Sequence, residues 1–429
     1  MALALGLSAS VAFAKPATRT RPLSSGEKAD ALAAGLDPAK LAALRSELEG
    51  FVASGEIAGV VAVMGRRGRI GTVQAHGFAD LRTRAPMRPS TLFRLEDMTK
   101  VATATAVLML RDEGKLSLED PVATHLPGFC GVQLRKPSAT GVAYTDPPRA
   151  VTVADLLRET SGLDCSSAEI PSGAERIPPG PRTLAAAVDQ IARRSLVRPP
   201  GTAVERCDAN YLALGRLIEV ASGEPFARFV GKRLFEPLRM RAATFRPSGS
   251  QSRRIARIYQ DADPGPATKL VPLVPPRARP FADPARGLIA SGADHARLLQ
   301  MLLDGGMARG RRFLRPESAA EMLEPAPGDA GPQGAAVRAG LGLDVVRVSA
   351  AVNTPLAPGS FGSTGRLGTH GWVDPQADAV YVVMTQRRDG GGGQAVRLAF
   401  QSLGADAIVR RSTEPKPGLF SARRAVRPR

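Results

Sequence analysis

Residues 93–110 read FRLEDMTKVATATAVLML. From Val101 to Leu110 the stretch holds no charge, so a helix here is apolar on every side and belongs inside a domain. Its first turn, by contrast, gathers Glu96, Asp97 and Lys100. Charges at the head of a buried helix mark a reactive or ligand-binding centre, because the helix start is electropositive and its first amides lack partners. Asp is among the preferred N-caps, so the Asp97 carboxylate is expected to accept from first-turn amides and to pair with Lys100 one turn on.

Strand-like segments stand on both sides of this helix. Upstream, DPAKLAALRSELEGFVAS (37–54) carries apolar residues at helical spacing, and AGVVAVMGRRGRIGTVQAHGFADL alternates β-branched runs around a Gly/Arg turn, which is a hairpin. Downstream, helical patches run to about residue 300: VTVADLLRETSGL, TLAAAVDQIARRSL, YLALGRLIEVASG, PFARFVGKRLFEPL and SGADHARLLQMLLDGG. Pro/Gly-rich loops at 166–182 and 262–285 separate them. GLGLDVVRV and FGSTGRLGTHGWVDPQADAVYVVMTQ then read as strands, with a turn at DPQAD, before a last helix in GGQAVRLAFQSL. The pattern predicts an α+β protein: an antiparallel sheet formed by the N- and C-terminal segments, flanked by helices, with an inserted mostly helical lobe over about 115–300.

The 429 residues suffice for a large core, and the 43% hydrophobic content is that of a soluble protein. Residues 1–14 are small and apolar and end in Ala12-Phe13-Ala14, a cleavage pattern, so the chain reads as an exported precursor, periplasmic or secreted, whose mature part has no transmembrane segment. Residues 15–36 are expected to be a linker, 37–407 the domain, and 408–429 a basic disordered tail. The net charge of +18 is scattered and aromatic residues make up only 4%, which argues against nucleic acid and leaves an anionic cell-envelope polymer as a conceivable partner. His76, His125, His295 and His370 are isolated, and the three cysteines form no CxxC, so no metal and no cofactor is expected. If a disulfide closes, Cys130 with Cys165 is the expected pair, while Cys207 reads as a core or disulfide cysteine.

The arrangement resembles the serine β-lactamase and D-alanyl-D-alanine-peptidase superfamily, in particular its class C β-lactamase and related esterase branch, over about residues 37–405. HGFADLRTRAPMRPSTLFRLEDMTKVATATAVLMLRDEGKLSLEDPVATHLPGF is similar to the family's signature stretch, and VTVADLLRETSGL, PPGTAVERCDANYLALGRLIEVASGEPF and GWVDPQADAVYVVMTQ follow in the family's order. The resemblance implies three catalytic motifs. In S-x-x-K, at the start of the buried helix, Ser is the acyl-accepting nucleophile and Lys activates it. Phe93, Met98, Thr99 and Lys100 fix the alignment, so Asp97 stands where the family has Ser. Tyr-x-Asn falls on Arg206-Cys207-Asp208, and Lys/His-Thr-Gly on Ser363-Thr364-Gly365.

Asp97, Lys100, Arg206 and Asp208 are therefore the residues at the catalytic positions, and Ser363, Thr364, Gly365 and Arg366 those expected to bind substrate. The backbone amides of residues 97 and 366 take the oxyanion-hole positions that the resemblance implies. A carboxylate at 97 would form an anhydride far more labile than an ester, and the neighbouring Lys would bind the anion and blunt it. The expectation is a catalytically impaired pseudoenzyme whose cleft binds a small molecule, a peptide or another protein. The alternatives are a hydrolase of β-lactams, esters or peptides using Asp97 and Lys100 as base or a relocated nucleophile such as Ser363, and a basic envelope-binding protein.

Overall fold

The computed structural model describes residues 22–138, 141–165, 181–262, 270–273, 279–325, 336–349, 354–388 and 392–409. The hairpin expected around Arg67 and Gly68 forms β1 (Gly59–Arg66) and β2 (Arg69–Asp80), followed by the short β3 (Ala85–Pro86). The C-terminal part supplies β4 (Val337–Ala339), β5 (Asp344–Val346), β6 (Phe361–Thr364), β7 (Thr369–Asp374) and β8 (Ala379–Met384). All join in one antiparallel sheet of order β4-β5-β6-β7-β8-β1-β2-β3, in which β8 from the C-terminal part pairs with β1 from the N-terminal part, Val63 opposite Val382. The antiparallel α+β sheet shared by the two ends of the chain is thus as expected.

β1, β7 and β8 are buried along their whole length because helices cover both faces. Period-two alternation then sorts their side chains between two cores. Val61, Val63, Val380 and Val382 face one core, while Val60, Ala62, Tyr381 and Val383 face the other. The first core contains α3 (Thr99–Asp112) and the helical lobe, notably α4 (Val153–Arg158), α5 (Leu184–Ala192) and α6 (Asp208–Ser222), and α7 (Gly292–Leu303) lies against β8 and β1. The second holds α1 (Ser25–Ala33), α2 (Pro38–Ala53) and α8 (Gly392–Asp406).

α3 is buried from Thr99 to Leu110, as its uncharged sequence requires. Its threonines stay satisfied: Thr103 donates to the Pro284 carbonyl at 2.7 Å and Thr105 back to Val101 at 2.8 Å. Close packing across the lobe depends on Gly215 of α6, where an added Cβ would lie 2.1 Å from Pro284.

Two local expectations change. The stretch read as a linker, 15–36, contains α1 from Ser25, started by a reciprocal Ser24–Glu27 capping box, and it buries Leu23, Ala31, Ala34 and Leu36. Its apolar residues are too few for a helical pattern to stand out before β2 and α8 are there to receive them. The disulfide joins Cys165 to Cys207, with Cα atoms 5.4 Å apart, rather than Cys130 to Cys165; Cys130 is exposed and free. The turn after Ser161-Gly162-Leu163 brings Cys165 onto the start of α6, a proximity that 42 residues of separation conceal. Residues 1–14 lie outside the described residues, as does the tail from 410, while Ile408 is buried and bridges to Leu36.

Candidate active site

A short ladder, Phe93–Arg94 against Ile289–Ala290, delivers the chain to the head of α3. Glu96 then takes a left-handed conformation, φ +50°, and turns the chain into a 3-10 turn over Glu96–Met98. A non-glycine residue there costs on the order of 1 kcal/mol and is held by its surroundings. Burial raises the Glu96 carboxyl to about 7, a rise that Arg286 opposes and Asp97 assists. Asp97 is not an N-cap, contrary to the sequence reading: the extra 3-10 turn moves the start of α3 to Thr99, and no side chain caps either segment. Its carboxylate instead meets three cations, Lys100 at 3.4 Å, Arg286 at 3.7 Å and Arg366 at 3.4 Å. Burial raises its pKa, but Lys100, Arg286 and Arg366 outweigh this and hold the group below the ordinary carboxylate range.

Lys100 has a nearer partner than Asp97. Its Nζ donates to Glu159 Oε1 at 2.7 Å, with only 8% of each side chain exposed. Glu159 closes α4 in a left-handed conformation, φ +56°, which turns the loop Thr160-Ser161-Gly162 into the lobe and the carboxylate toward α3. The Tyr211 ring lies 5.1 Å from the ammonium. Burial disfavours the charge on Lys100, yet Glu159 and Asp97 more than compensate and raise its pKa. A cation so held is a poor proton acceptor at neutral pH.

The second motif departs from expectation in both its charged members. Arg206, at the position the resemblance gives to the motif tyrosine, reaches Asp344 on β5 with both terminal nitrogens. Burial opposes its charge, and the Asp344 pairing reverses that and raises its pKa. Asp208, 2% exposed, lies beneath the cleft as the first residue of α6, 2.9 Å from Arg286 and 3.8 Å from Arg279. Burial lifts its pKa to about 6, with Arg286 acting the other way. Cys207 is in the disulfide and carries no nucleophile.

The third motif divides between the two faces of the sheet. Ser363 lies opposite Gly371, whose added Cβ would strike His295 and Met98, so it faces α3 and the Asp97 side. Thr364 lies opposite His370 and turns away from Asp97, with its Oγ1 2.7 Å from His370 Nδ1. Gly365 fills no part of the cleft wall. A Cβ there would sit 2.2 Å from Thr369 Oγ1 and 2.6 Å from the Leu95 carbonyl, so its lack of a side chain lets the turn after β6 press against the Asp97 turn. Arg366, half exposed, closes over Asp97 from the rim.

Asp97, Lys100, Arg206, Ser363, Thr364 and Arg366 all line a cleft of about 950 Å³, whereas Asp208 and Gly365 do not. Glu159, Asp344 and Tyr211 also line it and escaped the sequence reading, as did Arg286 beneath. Only Glu159 left a trace, an acid beside Arg158 within the LLRETSGL segment. Tyr211 does not replace the missing motif tyrosine: its hydroxyl donates to the Leu157 carbonyl at 3.2 Å, and burial raises its pKa well above the usual phenol value. Among the described residues no cluster of His, Cys, Asp or Glu could hold a metal ion, and no helix is long and apolar enough to cross a membrane.

A β-lactamase family model matches residues 44–405. Protein Rv1367c of Mycobacterium tuberculosis is 31% identical over 352 residues, covering 78% of this chain and 86% of that protein. Esterase EstB of Burkholderia gladioli is 30% identical over 249 residues, 55% of this chain and 59% of that protein. Among solved structures, EstCE1, a hydrolase with promiscuous acyltransferase activity, superposes with a TM-score of 0.71 at 24% identity over 87% of this chain and 99% of its own. A penicillin-binding protein homologue from Caulobacter crescentus gives 0.68 at 21% identity, covering 86% of this chain and 99% of its own. These two structures share the fold, and the family model spans the sheet, the buried helix and the lobe that together build the cleft: the chain belongs to the β-lactamase family.

Proposed function

We propose that this protein is a non-acylating member of the family, a binding protein whose cleft lacks the acyl-serine step. The observation that carries this reading is the state of Asp97. At the nucleophile position stands a carboxylate held by three cations, and the lysine that would activate a nucleophile is already committed to Glu159 at 2.7 Å. An anion paired in this way is both a weak nucleophile and a weak base, since protonating it requires parting it from its cations. The Arg366–Asp97 pair also bridges the two residues whose amides take the oxyanion-hole positions, so an acyl oxygen reaching them would first have to open it.

The test is covalent labelling of the purified chain with a fluorescent penicillin. No labelled band is expected, and a band abolished by a single substitution would overturn the reading. The likeness to Esterase EstB supports a second reading, hydrolysis with Asp97 as base to a water. That reading requires ester turnover that Asp97→Ala abolishes, and turnover that survives the substitution would exclude it.

A further inference from the structure

The charge of +18 looks scattered along the sequence, but folding gathers part of it at one end of the sheet. β1 and β2 meet there in an exposed turn, Arg67-Gly68-Arg69. α7 packs on β1 with Gly292 beside Val61 and Val63 and with Gln300 beside Gly65, so its C-terminal end points to that turn. The chain then closes a second short hairpin, Met307–Ala308 against Arg311–Arg312, whose exposed corner is Arg309-Gly310. Both corners hold an arginine in the left-handed region, φ +54° at Arg67 and +53° at Arg309, where Gly, Asn or Asp is usual.

The other face of the sheet adds apolar surface to the same corner. Arg67 lies over Gly35, where an added Cβ would be 2.9 Å from the guanidinium carbon. Gly35 in turn donates to the Leu32 carbonyl at 2.9 Å and accepts from the Val409 amide at 3.1 Å. Leu32 and Val409 therefore stand beside Arg67, and at 61% each they are the most exposed large apolar side chains among the described residues. Single exposed aliphatics are ordinary, but two set together beside arginines make the amphipathic pattern of an interfacial contact. From Val409 the sequence runs on into 410–429, where every charged side chain except that of Glu414 is basic.

Acids close by have partners of their own. Asp304 accepts from Gln300 at 3.0 Å, Asp374 from the amides of Gln376 and Ala377 at 2.9 and 3.1 Å, and Asp37 caps α2 through Ala39 at 2.8 Å. The Asp97 turn is at the opposite end of these strands. β8 runs from Ala379, opposite Arg66, to Met384, opposite Thr369, whose hydroxyl adjoins the Leu95 carbonyl. The rise of the strand separates the two ends by about 17 Å.

We propose that this end of the molecule docks on an anionic lipid membrane, with Arg67, Arg69, Arg309 and Arg311 against the headgroups and Leu32 and Val409 entering the interfacial layer. Charge alone would suit any polyanion. The exposed aliphatic pair favours a surface with acyl chains beneath its phosphates. None of these residues lines the cleft, so this proposal and penicillin labelling fail separately.

The experiment measures co-sedimentation of the full chain with vesicles of phosphatidylcholine alone and of phosphatidylcholine mixed with phosphatidylglycerol. Binding is expected to the mixed vesicles only, and to weaken as salt is added. Arg67→Glu with Arg69→Glu, and separately Arg309→Glu with Arg311→Glu, should each weaken it at least about tenfold. Arg239→Glu with Arg241→Glu removes the same charge at the other end of α7, where the Ala242 amide donates to Asp294, and should change binding by less than about twofold. Leu32→Asn with Val409→Asn should weaken binding about fivefold. Equal binding to neutral vesicles, no binding at all, or an equal loss in the Arg239/Arg241 variant would each overturn the assignment. Unchanged binding of the Leu32/Val409 variant would overturn it too, in favour of adhesion to a polyanion.

Discussion

The two faces of β6 are held by different physics. On the Asp97 side, at least four cations and four carboxylates interlock, with Lys100, Arg206, Arg286 and Arg366 set against Asp97, Glu159, Asp208 and Asp344. Behind the strand, Thr354, Gln401, His370 and Thr364 connect through neutral hydrogen bonds. Charge networks are costly to break at one point, because removing one partner strands a desolvated ion. Neutral relays lose about the price of one unsatisfied group. The comparison teaches that ion pairs hold the Asp97 face, while neutral hydrogen bonds hold the other side of the same strand.

The largest expected effect tests the locked face. Lys100→Met leaves Glu159 and Asp97 without their shared cation and is expected to lower unfolding free energy by about 3–5 kcal/mol, measured by denaturant titration. A loss below about 1 kcal/mol would show that Arg286 and Arg366 take over and that the pairing is interchangeable. The neutral face should respond less. Gln401→Leu strands one nitrogen of His370 and should cost about 1–3 kcal/mol by the same measurement, and a loss equal to that of Lys100→Met would erase the contrast between the faces.

A third effect concerns pH. The Glu96 carboxyl is raised in the folded state to about 7, above its unfolded value of 4.5, so the folded protein binds this proton more tightly than the unfolded chain. Glu96 therefore destabilises increasingly as pH rises from about 4.5 to 7. Glu96→Gln is expected to melt higher than wild type at pH 8, with the advantage fading toward pH 4.5; a pH-independent difference would place Glu96 outside the locked network. The left-handed backbone at 96 is the same in both proteins, so its strain cancels from the comparison.

Much of the scaffold was legible in the sequence. The uncharged length of α3, the alternation in β1 and β8 and the order of the matching blocks each constrain the same fold, because burial writes its periodicity directly into residue type. The site was legible only as positions. Asp97, Lys100, Arg206 and Ser363 do line one cleft, and Asp97 does pair with Lys100, yet their other partners were not legible. Arg206 pairs with Asp344, 138 residues away in sequence. Glu159, the nearest partner of Lys100, stands 59 residues away, and no local pattern ties the two together. Asp97 looked like an N-cap because composition cannot show that a left-handed residue at 96 inserts a 3-10 turn before the helix.

The sequence by itself determined the fold, because the buried helix and the matching blocks around it constrain one architecture, and the resemblance puts Asp97 at the position of the motif serine. Tertiary structure alone decided which charge answers which, that Cys165 pairs with Cys207 rather than with Cys130, and that Thr364 faces the opposite side of the sheet from Ser363. Periodicity is a local property carried by neighbouring residues. Ion pairs, disulfides and strand faces depend on distances of a few ångströms between segments far apart in the chain, and those distances exist only once both cores have closed on the sheet.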